Sequence, residues 1–297
     1  MTISFEGRVA IVTGAGGGLG RAYALELARR GAKVIVNDLG GARDGTGSSD
    51  AALKVVEEIE AAGGIAMADG GSVTDFTQME AMVARAKGAW GGVHILINNA
   101  GVLRDKSFAK MSPEDFRFVV DVHLNGSANC TKAVWETMRE QGYGRILMTA
   151  SSTGLYGNFG QANYGAAKLG LAGFAKTLSL EGAKYNVRVN TIAPTAATRM
   201  TEDLFPPELL EKFTPELVAP AALFLVSDEA PTNVILGAGA GVVQAAHVTL
   251  TRGVALDEPT PEAVAAQFGA IVDRTGEIVP QSGAEQAMTI LQRLQGG

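Results

Sequence analysis

A serine, a tyrosine and a lysine between Ser151 and Lys168 are the side chains whose types and spacing best suit chemistry. Tyr164 and Lys168 stand at positions i and i+4, so on a helix they share a face one turn apart. A hydroxyl, a phenol and an ammonium that meet can polarise a carbonyl and move a proton, because a nearby cation lowers the pKa of a phenol from its usual value of about 10. The same spacing also occurs by coincidence in ordinary helices, so the elements that position these residues must decide.

A glycine-rich turn follows the first apolar run of the chain. The run Arg8–Thr13 leads into Gly14, Gly18 and Gly20, and apolar residues recur at helical spacing from Leu19 onward. Glycines let the backbone approach a pyrophosphate, and the N–H groups at a helix start bind anions. The pattern predicts a strand, a phosphate-binding turn and a helix, although tight turns also need glycine for geometry alone.

Asp38 ends a second short β-branched run, Lys33–Asn37. Dinucleotide folds place a carboxylate at this point to bind the adenosine ribose, and that carboxylate would repel a 2′-phosphate. We therefore expect NAD rather than NADP, the alternative being an aspartate that only starts a turn. The connection 39–49 is long for an α/β unit and is either a flap over the adenosine end or a disordered segment.

Strands and helices alternate along most of the chain. The predicted strands are 8–13, 33–37, 65–68, 94–97, 146–150, 187–193 and 233–236, and the predicted helices are 19–30, 51–62, 76–90, 113–139, 164–183, 215–227 and 261–268. This order indicates an α/β fold with a doubly wound parallel sheet, Rossmann-like, in which Gly14, Asp38, Asn99 and Ser151 all follow strand ends, where ligands bind.

The chain is expected to form a single domain with a C-terminal extension. Residues 1–241 would form the dinucleotide-binding catalytic domain, with a short helical lid over the substrate near 200–213. Residues 242–297 would form the extension, packed on the same domain.

The composition narrows the classes of partner. Among 297 residues, 31 acidic side chains outnumber 25 basic ones without any Lys/Arg-rich block, which argues against nucleic acid or an anionic membrane as partner. Cys130 is the single cysteine, so an internal disulfide and a cysteine-based metal cluster are excluded, and no metal site is expected. Without a signal-peptide region, a membrane-spanning apolar run or a peroxisomal C-terminal tripeptide, the expected location is cytoplasmic.

Taken together, the motifs resemble those of the short-chain dehydrogenase/reductase family. They are Thr13-Gly14-x-x-x-Gly18-x-Gly20, Asn98-Asn99-Ala100-Gly101, Ser151 and Tyr164-x-x-x-Lys168, in family order. Finer stretches are similar to the branch that contains (3R)-hydroxyacyl-CoA dehydrogenases: 37–41, 103–108, 156–164, 193–194 with 199–201, and 259–264.

This resemblance implies an NAD-dependent enzyme that oxidises the 3-hydroxyl of (3R)-hydroxyacyl-CoA to 3-oxoacyl-CoA. The alternatives are a hydroxysteroid dehydrogenase of the 17β type, an NADPH-dependent oxoacyl reductase, against which Asp38 speaks, and a catalytically silent NAD-binding module. The partner would be a small-molecule acyl-CoA or steroid. A homodimer is expected through the helices near 121–141 and 164–183, where the family dimerises.

The resemblance also assigns roles to residues. Tyr164 would take the alcohol proton, and Ser151 would hydrogen-bond the substrate oxygen. Lys168 would hold the nicotinamide ribose and, together with the charge of the oxidised ring, lower the tyrosine pKa. His123 stands where the family usually has an asparagine that supports a lysine-linked water, and it is either part of the site or an ordinary helix histidine. The implied cofactor-binding residues are Gly14, Gly18, Leu19, Gly20, Asp38, Leu39, Ser72, Val73, Asn99, Ala100, Gly101, Tyr164, Lys168, Ala196, Ala197 and Thr198.

Three positions leave alternatives open. Gly71 replaces the acid that commonly binds the adenine amino group, so either Ser72 with backbone groups or Asp69 must serve. Arg104 and Lys106 either attract the phosphates of coenzyme A or are solvated surface cations.

Overall fold

The computed structural model describes residues 2–198 and 211–295, and the chain divides into two compact units after Ala245. The first unit carries the glycine turn, residues 98–101, Ser151 and Tyr164 with Lys168, and the stretch 259–264 belongs to the second. The expected packing of the C-terminal extension on the catalytic domain stays a prediction.

An eight-stranded sheet organises the first unit, in the order β3-β2-β1-β4-β5-β6-β7-β8. The strands are β1 Val9–Thr13, β2 Lys33–Asn37, β3 Ile65–Asp69, β4 Ile95–Asn98, β5 Gly144–Thr149, β6 Val187–Pro194, β7 Ile235–Gly239 and β8 Val242–Ala246. Every neighbouring pair from β3 to β7 is parallel. The predicted doubly wound, Rossmann-like sheet is confirmed, and its strand order reverses between β1 and β4, where such sheets bind ligands.

The central strands form because continuous apolar runs are buried on both faces. In β1 all five residues are buried, with Ala10 and Val12 in the core on one face of the sheet and Val9 and Ile11 in the core on the other. The alternation fixes the register, because a shift of one residue would exchange the two faces.

Helices cover both faces of the sheet. In the first unit they are α1 Gly18–Arg29, α2 Ala51–Ala61, α3 Phe76–Trp90, α4 Pro113–Val120, α5 Gly126–Gln141, α6 Ser152–Tyr156, α7 Ala162–Gly182 and α8 Ala219–Phe224. Ser112 caps α4 by accepting a hydrogen bond from the Asp115 N–H, and Pro113 occupies the first helical position, where proline is favoured. Asp50 precedes α2 without a capping bond and instead pairs with Lys54 at 2.9 Å.

Several elements differ from the sequence expectation. The helical region 113–139 is interrupted by a π-helical turn, Asp121–Asn125, and the helix expected over 215–227 is a 3₁₀ turn, Pro215–Leu217, followed by α8. Helix α6 and strand β8 were not foreseen. Most of the expected lid, 199–210, lies outside the described residues, and Glu211–Phe213 is a 3₁₀ turn.

The second unit contains two helices, α9 Pro261–Ile271 and α10 Gly283–Gln295. An antiparallel bridge joins Leu250 to Ile278, and the Thr260 hydroxyl caps α9 by accepting from the Ala263 N–H. Across 2–198 and 211–295, we find no helix with the length and apolar character that crossing a bilayer requires.

Candidate active site and cofactor cleft

The turn between β1 and α1 provides an anion-binding backbone. Gly14 and Gly18 have φ of +64° and +51°, a region that favours glycine. Helix α1 begins after Gly17 with no side-chain cap and no acidic residue in its first turn. Its N-terminal N–H groups and the positive end of its dipole therefore suit a phosphate.

Asn99 and Thr13 lock this turn to the end of β4. The Asn99 side-chain amide donates to the carbonyl oxygens of Thr13 at 3.0 Å and Gly14 at 3.1 Å. In return, Thr13 Oγ1 accepts from the N–H groups of Asn99 and Ala100 at 3.0 and 3.1 Å. Asn99 thus shapes the cleft through the backbone of the turn.

Asp38 is held at the end of β2 by two backbone groups. Its Oδ2 accepts from the Gly16 N–H at 2.8 Å and its Oδ1 from the Gly40 N–H at 2.7 Å. Since each carboxylate oxygen has a further lone pair, Asp38 can still accept hydrogen bonds from the two hydroxyls of a ribose.

Asp69 is engaged elsewhere and does not reach the cleft. Its carboxylate is buried, accepts from Asn37 Nδ2 at 2.6 Å and the Gly71 N–H at 2.8 Å, and pairs with Arg85. Ser72 does line the cleft, and its role at the adenine end stays a prediction.

A single cleft gathers most of the expected cofactor residues. Among them, those that line it are Gly14, Gly18, Leu19, Asp38, Leu39, Ser72, Val73, Asn99, Ala100, Gly101 and Thr198. Gly20 instead packs inside the turn, where a Cβ would lie 2.3 Å from the Gly14 carbonyl oxygen, and Ala196 belongs to the core. Ala197 donates its N–H to the Phe213 carbonyl at 2.6 Å.

The segment 39–49 is folded and forms a further wall of the cleft. Within it, the Ala42 N–H donates to the Thr46 carbonyl at 2.7 Å and the Gly45 N–H to the Ala42 carbonyl at 3.0 Å. Its lining residues include Gly41, Ala42, Arg43 and Gly45. The segment therefore lies where a flap over the cleft would lie.

Ser151, Tyr164 and Lys168 meet at the carboxyl end of β5. The Lys168 Nζ is buried, donates to the Thr149 carbonyl at 2.6 Å and lies 5.4 Å from the centre of the Tyr164 ring. Ser151 caps α6 by accepting from the Thr153 N–H at 3.2 Å, and its hydroxyl lies close enough to the Tyr164 phenol to lower the phenol's pKa. The three residues that the sequence spacing singled out therefore lie together in the structure.

Burial dominates the electrostatics of this trio. It raises the pKa of Tyr164 to about 12, with a smaller rise from the Asp105 charge, while the hydrogen bond from Ser151 lowers that pKa. Burial likewise lowers the pKa of Lys168 to about 7. The Lys168 ammonium is itself desolvated and donates to the Thr149 carbonyl. The expected lowering of the tyrosine pKa by Lys168 together with the charge of an oxidised nicotinamide stays a prediction.

His123 is buried and packs beside Tyr164. It lies in the π-helical turn, its Nε2 is 2.8 Å from the Val102 carbonyl oxygen, and its ring meets the Tyr164 ring edge-on at 5.1 Å. A Cβ on Gly101 would approach the imidazole to 2.3 Å, so glycine makes room for the ring. Burial, then the Lys168 charge, hold the His123 pKa well below its usual value.

Two amide side chains that sequence reasoning did not single out position the trio. Asn163 is fully buried, accepts from the Tyr164 N–H at 2.7 Å and donates to the Arg104 carbonyl at 3.2 Å. Gln161 donates to Asp105 at 2.7 Å and accepts from the Thr153 hydroxyl at 2.9 Å. The signal available was a pair of amides just before Tyr164.

Arg104 and Lys106 both bind the Asp115 carboxylate, each at 3.1 Å. Arg104 also lies 4.0 Å above the Phe118 ring. Arg104 is therefore not a freely solvated cation, and the charge of both residues is offset by Asp115, which weakens the case for coenzyme A phosphates.

Fold and site together define a class. A doubly wound parallel sheet with a glycine turn, a carboxylate after β2 and a Ser-Tyr-Lys group after β5 is the arrangement of a dinucleotide-dependent oxidoreductase. Residues 8–208 match the model of the short chain dehydrogenase family, and the chain belongs to this family. The resemblance seen in the sequence is confirmed.

Curated relatives share about half of the residues. Peroxisomal multifunctional enzyme A of Dictyostelium discoideum is 48% identical over 98% of this chain and 66% of its own length. A short-chain type dehydrogenase/reductase of Mycobacterium tuberculosis is 50% identical over 91% of this chain and 96% of its own length. The chain thus spans less than two thirds of the first of these relatives.

Solved structures share the fold. Full-length peroxisomal multifunctional enzyme type 2 from Drosophila melanogaster superposes with a TM-score of 0.83 at 40% identity, over 99% of this chain and 50% of that one. A 7α-hydroxysteroid dehydrogenase, complexed with NADH and 7-oxo glycochenodeoxycholic acid, superposes with a TM-score of 0.72 at 31% identity, over 81% of this chain and 96% of that one.

Proposed function

We propose that the chain is an NAD-dependent dehydrogenase that oxidises the 3-hydroxyl of (3R)-hydroxyacyl-CoA to 3-oxoacyl-CoA. The observation that carries the proposal is the meeting of Ser151, Tyr164 and Lys168 at the same sheet edge as the cleft that contains Asp38. General acid–base groups beside a dinucleotide cleft suit hydride chemistry on an alcohol.

The residues present fit a nicotinamide dinucleotide. A Cβ on Gly18 would narrow the space there by lying 3.3 Å from the Thr198 side chain. The uncapped start of α1 suits the pyrophosphate. Asp38 would hold the adenosine ribose and disfavour a 2′-phosphate, and Lys168 would hold the second ribose. When bound, the cofactor supplies the hydride acceptor.

The chain's own residues handle the proton. The Ser151 hydroxyl, already fixed by the Thr153 N–H, would hydrogen-bond the substrate oxygen, and the Tyr164 phenolate would take the alcohol proton. Because burial raises the pKa of Tyr164 to about 12, the Ser151 hydrogen bond and positive charge beside the ring must favour the phenolate. His123 would hold the tyrosine ring in place from its other side.

Two observations support an acyl-CoA substrate, namely the names of the relatives and a set of exposed aromatic side chains. Two relatives are named as peroxisomal multifunctional enzymes. Tyr156 and Phe159, between Ser151 and Tyr164 in the sequence, are 76% and 90% exposed, and Phe108 is 74% exposed. The Lys106 N–H donates to the Gly160 carbonyl at 2.9 Å, which joins the segment before Phe108 to the segment after Phe159. An apolar acyl chain would cover this surface.

A hydroxysteroid dehydrogenase is the second candidate. The observation that favours it is the likeness to the 7α-hydroxysteroid dehydrogenase structure, and a steroid would cover the same aromatic surface. A catalytically silent NAD-binding module is the third, disfavoured by the intact trio.

Steady-state rates across a substrate panel test the proposal. The panel holds (3R)- and (3S)-hydroxyacyl-CoA and hydroxysteroids, each with NAD and NADP. We expect the highest kcat/KM with the (3R) thioester and NAD. A preference for the steroid, for the (3S) thioester or for NADP would contradict it, as would rates no higher than those of Tyr164→Phe.

We also propose a homodimer located in the cytoplasm, with α7 in the interface. Leu169, Gly173 and Leu180 lie on one face of α7 and are exposed, with Leu169 at 48% and Leu180 at 55%. Light scattering should give twice the chain mass, and Leu180→Arg should reduce it, whereas Lys184→Glu should not. A monomeric wild type would contradict the proposal.

A further inference from the structure

The segment 39–49, here called the strap, runs from the end of β2 to α2 and forms one wall of the cofactor cleft. Gly41, Ala42, Arg43 and Gly45 line the cleft from the strap, and Val102 and Phe118 line it from the far side. Connections of this kind usually have about 2–6 residues, so a longer one needs an anchor to keep a fixed position.

The strap reaches across the cleft and touches the far wall. The Leu103 N–H donates to the Arg43 carbonyl at 3.0 Å. At Gly45, with φ of +85°, a Cβ would lie 2.8 Å from the Phe118 ring and 3.2 Å from Val102, so the strap backbone packs directly on these side chains. These contacts fix the position of the strap beside the cleft.

One side chain holds this crossing in place. Arg104 donates from Nε to the Asp44 carbonyl of the strap at 3.3 Å and from a terminal nitrogen to Asp115 of α4 at 3.1 Å. Its guanidinium stacks 4.0 Å above Phe118, and its side chain is 29% exposed. The planar, forked guanidinium can serve a carbonyl, a carboxylate and a ring at once, which an ammonium cannot.

We propose that Arg104 is a positioning residue that clasps the strap over the adenosine half of a bound dinucleotide and so slows its dissociation. This inference rests on the proposed function in that it takes the ligand of the cleft to be NAD or NADH. Breaking the clasp loosens the strap from α4 while leaving Asp38 and the glycine turn intact.

Lys106 provides a matched control. It binds the same Asp115 carboxylate at the same 3.1 Å, but its side chain is 54% exposed, and its backbone N–H donates to Gly160 on the substrate side. Removing it takes one cation from Asp115 and leaves the Arg104–Asp44 contact in place.

Stopped-flow fluorescence of NADH dissociation from the full chain tests the clasp. NADH is displaced by excess NAD from wild type, Arg104→Met and Lys106→Met. We expect Arg104→Met to release NADH about tenfold faster, the change that the loss of a hydrogen bond from a charged group supports. Lys106→Met should stay within about twofold of wild type, because the cost of an exposed ion pair is small.

The outcomes separate the two proposals. If wild type does not bind NADH, the proposed function is contradicted, and so is the proposal that Arg104 slows NADH dissociation. Suppose that wild type binds NADH tightly. The proposal for Arg104 alone is then overturned if NADH dissociates from Arg104→Met within about twofold of the wild-type rate, or if both variants release NADH equally faster.

If Arg104→Met does not fold, a second measurement on wild type tests the proposal. In wild type, hydrogen exchange at the amides of Gly45 and Leu103 should slow when NADH is added, because the strap then opens less often. Exchange at these amides that NADH leaves unchanged overturns the clasp.

Discussion

Tyr164 and Lys168 are both pushed toward their neutral forms by the same burial. The pKa of the phenol is raised to about 12 and that of the ammonium is lowered to about 7. The other groups that face the tyrosine are the neutral His123 ring, the Ser151 hydroxyl and the Asp105 charge. Of these, Ser151 is the one whose hydrogen bond favours the phenolate.

Ser151→Ala should therefore shift the pH profile of alcohol oxidation to higher pH. Oxidation needs the phenolate, so kcat/KM rises with pH, and loss of the serine hydrogen bond moves that rise upward while kcat falls about 10²–10³-fold. The measurement is kcat/KM against pH. Ser152→Ala, an exposed serine next door, is the control. An unshifted profile in Ser151→Ala would contradict the role.

Asp105 and Gln161 should act on the trio as one unit. Gln161 donates to Asp105 and accepts from Thr153, whose N–H binds Ser151. Because the Asp105 charge raises the Tyr164 pKa, the hydrogen bond is tested by comparing Asp105→Ala with Asp105→Asn, which removes the same charge but keeps an acceptor. Asp105→Ala should have the lower kcat. Gln161→Ala should also lower kcat, and the Asp105→Ala Gln161→Ala double variant should be no worse than the poorer single one. Losses that add in the double variant would count against the unit, since residues that act through one bond do not add.

At the scale of elements, the join between β1, α1 and β4 depends on the absence of a side chain at Gly14. A Cβ there would lie 2.7 Å from the Ala100 Cα, whereas Gly63, at φ of +80°, has nothing within 4 Å. Both positions have positive φ, so alanine costs about 1 kcal/mol at either through backbone strain.

Gly14→Ala should therefore lower the free energy of unfolding by about 1–3 kcal/mol more than Gly63→Ala, because the clash adds to the strain. It should also weaken NADH binding, which Gly63→Ala should leave unchanged. Urea unfolding and fluorescence titration measure the two effects. Equal losses of stability in both variants would refute the close approach.

The elements that the sequence predicts well are those with a local cause. β1, β2 and β6 match within one residue because buried β-branched runs end at Gly, Asp or Pro. β8 was missed because its first four residues are exposed and carry no alternation, and α6 because it has only five residues held by the Ser151 cap. The π-helical turn has no sequence signal that we recognise.

The same division applies to the site. Tyr164 and Lys168 follow from spacing on one helix, and Ser151 from the end of a strand. The ties from Asn163 to Arg104 and from Asn99 to Thr13 join residues far apart in sequence, so only the fold reveals them. His123 could be placed in a helix from the sequence, but its contact with Tyr164 comes from the packing of α7 on the π-helical turn.

At the scale of the whole molecule, histidine burial makes stability depend on pH. His94 Nδ1 accepts from the Val9 N–H at 3.0 Å and must be unprotonated to do so. Burial, then the Arg8 charge, lower the pKa of His94, as burial does for His123. The unfolded chain therefore binds more protons than the fold once the pH falls below about 6.5.

The free energy of unfolding should fall as the pH drops from about 7 to about 5, above the range where Glu26, with a pKa of about 2, begins to contribute. His94→Asn places an acceptor oxygen near the Val9 N–H and does not titrate, so its pH dependence should be shallower. Urea unfolding across this range measures both. Parallel curves for the two proteins would contradict the assignment.

Hydride transfer from a labelled substrate tests the central claim most directly. (3R)-3-hydroxyacyl-CoA carrying deuterium at C3 is mixed with NAD, and the deuterium content of the NADH formed is read by mass spectrometry. We expect wild type to transfer the label, and Tyr164→Phe, assayed at saturating NAD, to do so at least about 10²-fold more slowly. NADH formed without the label, or formed equally fast by Tyr164→Phe, would contradict the account.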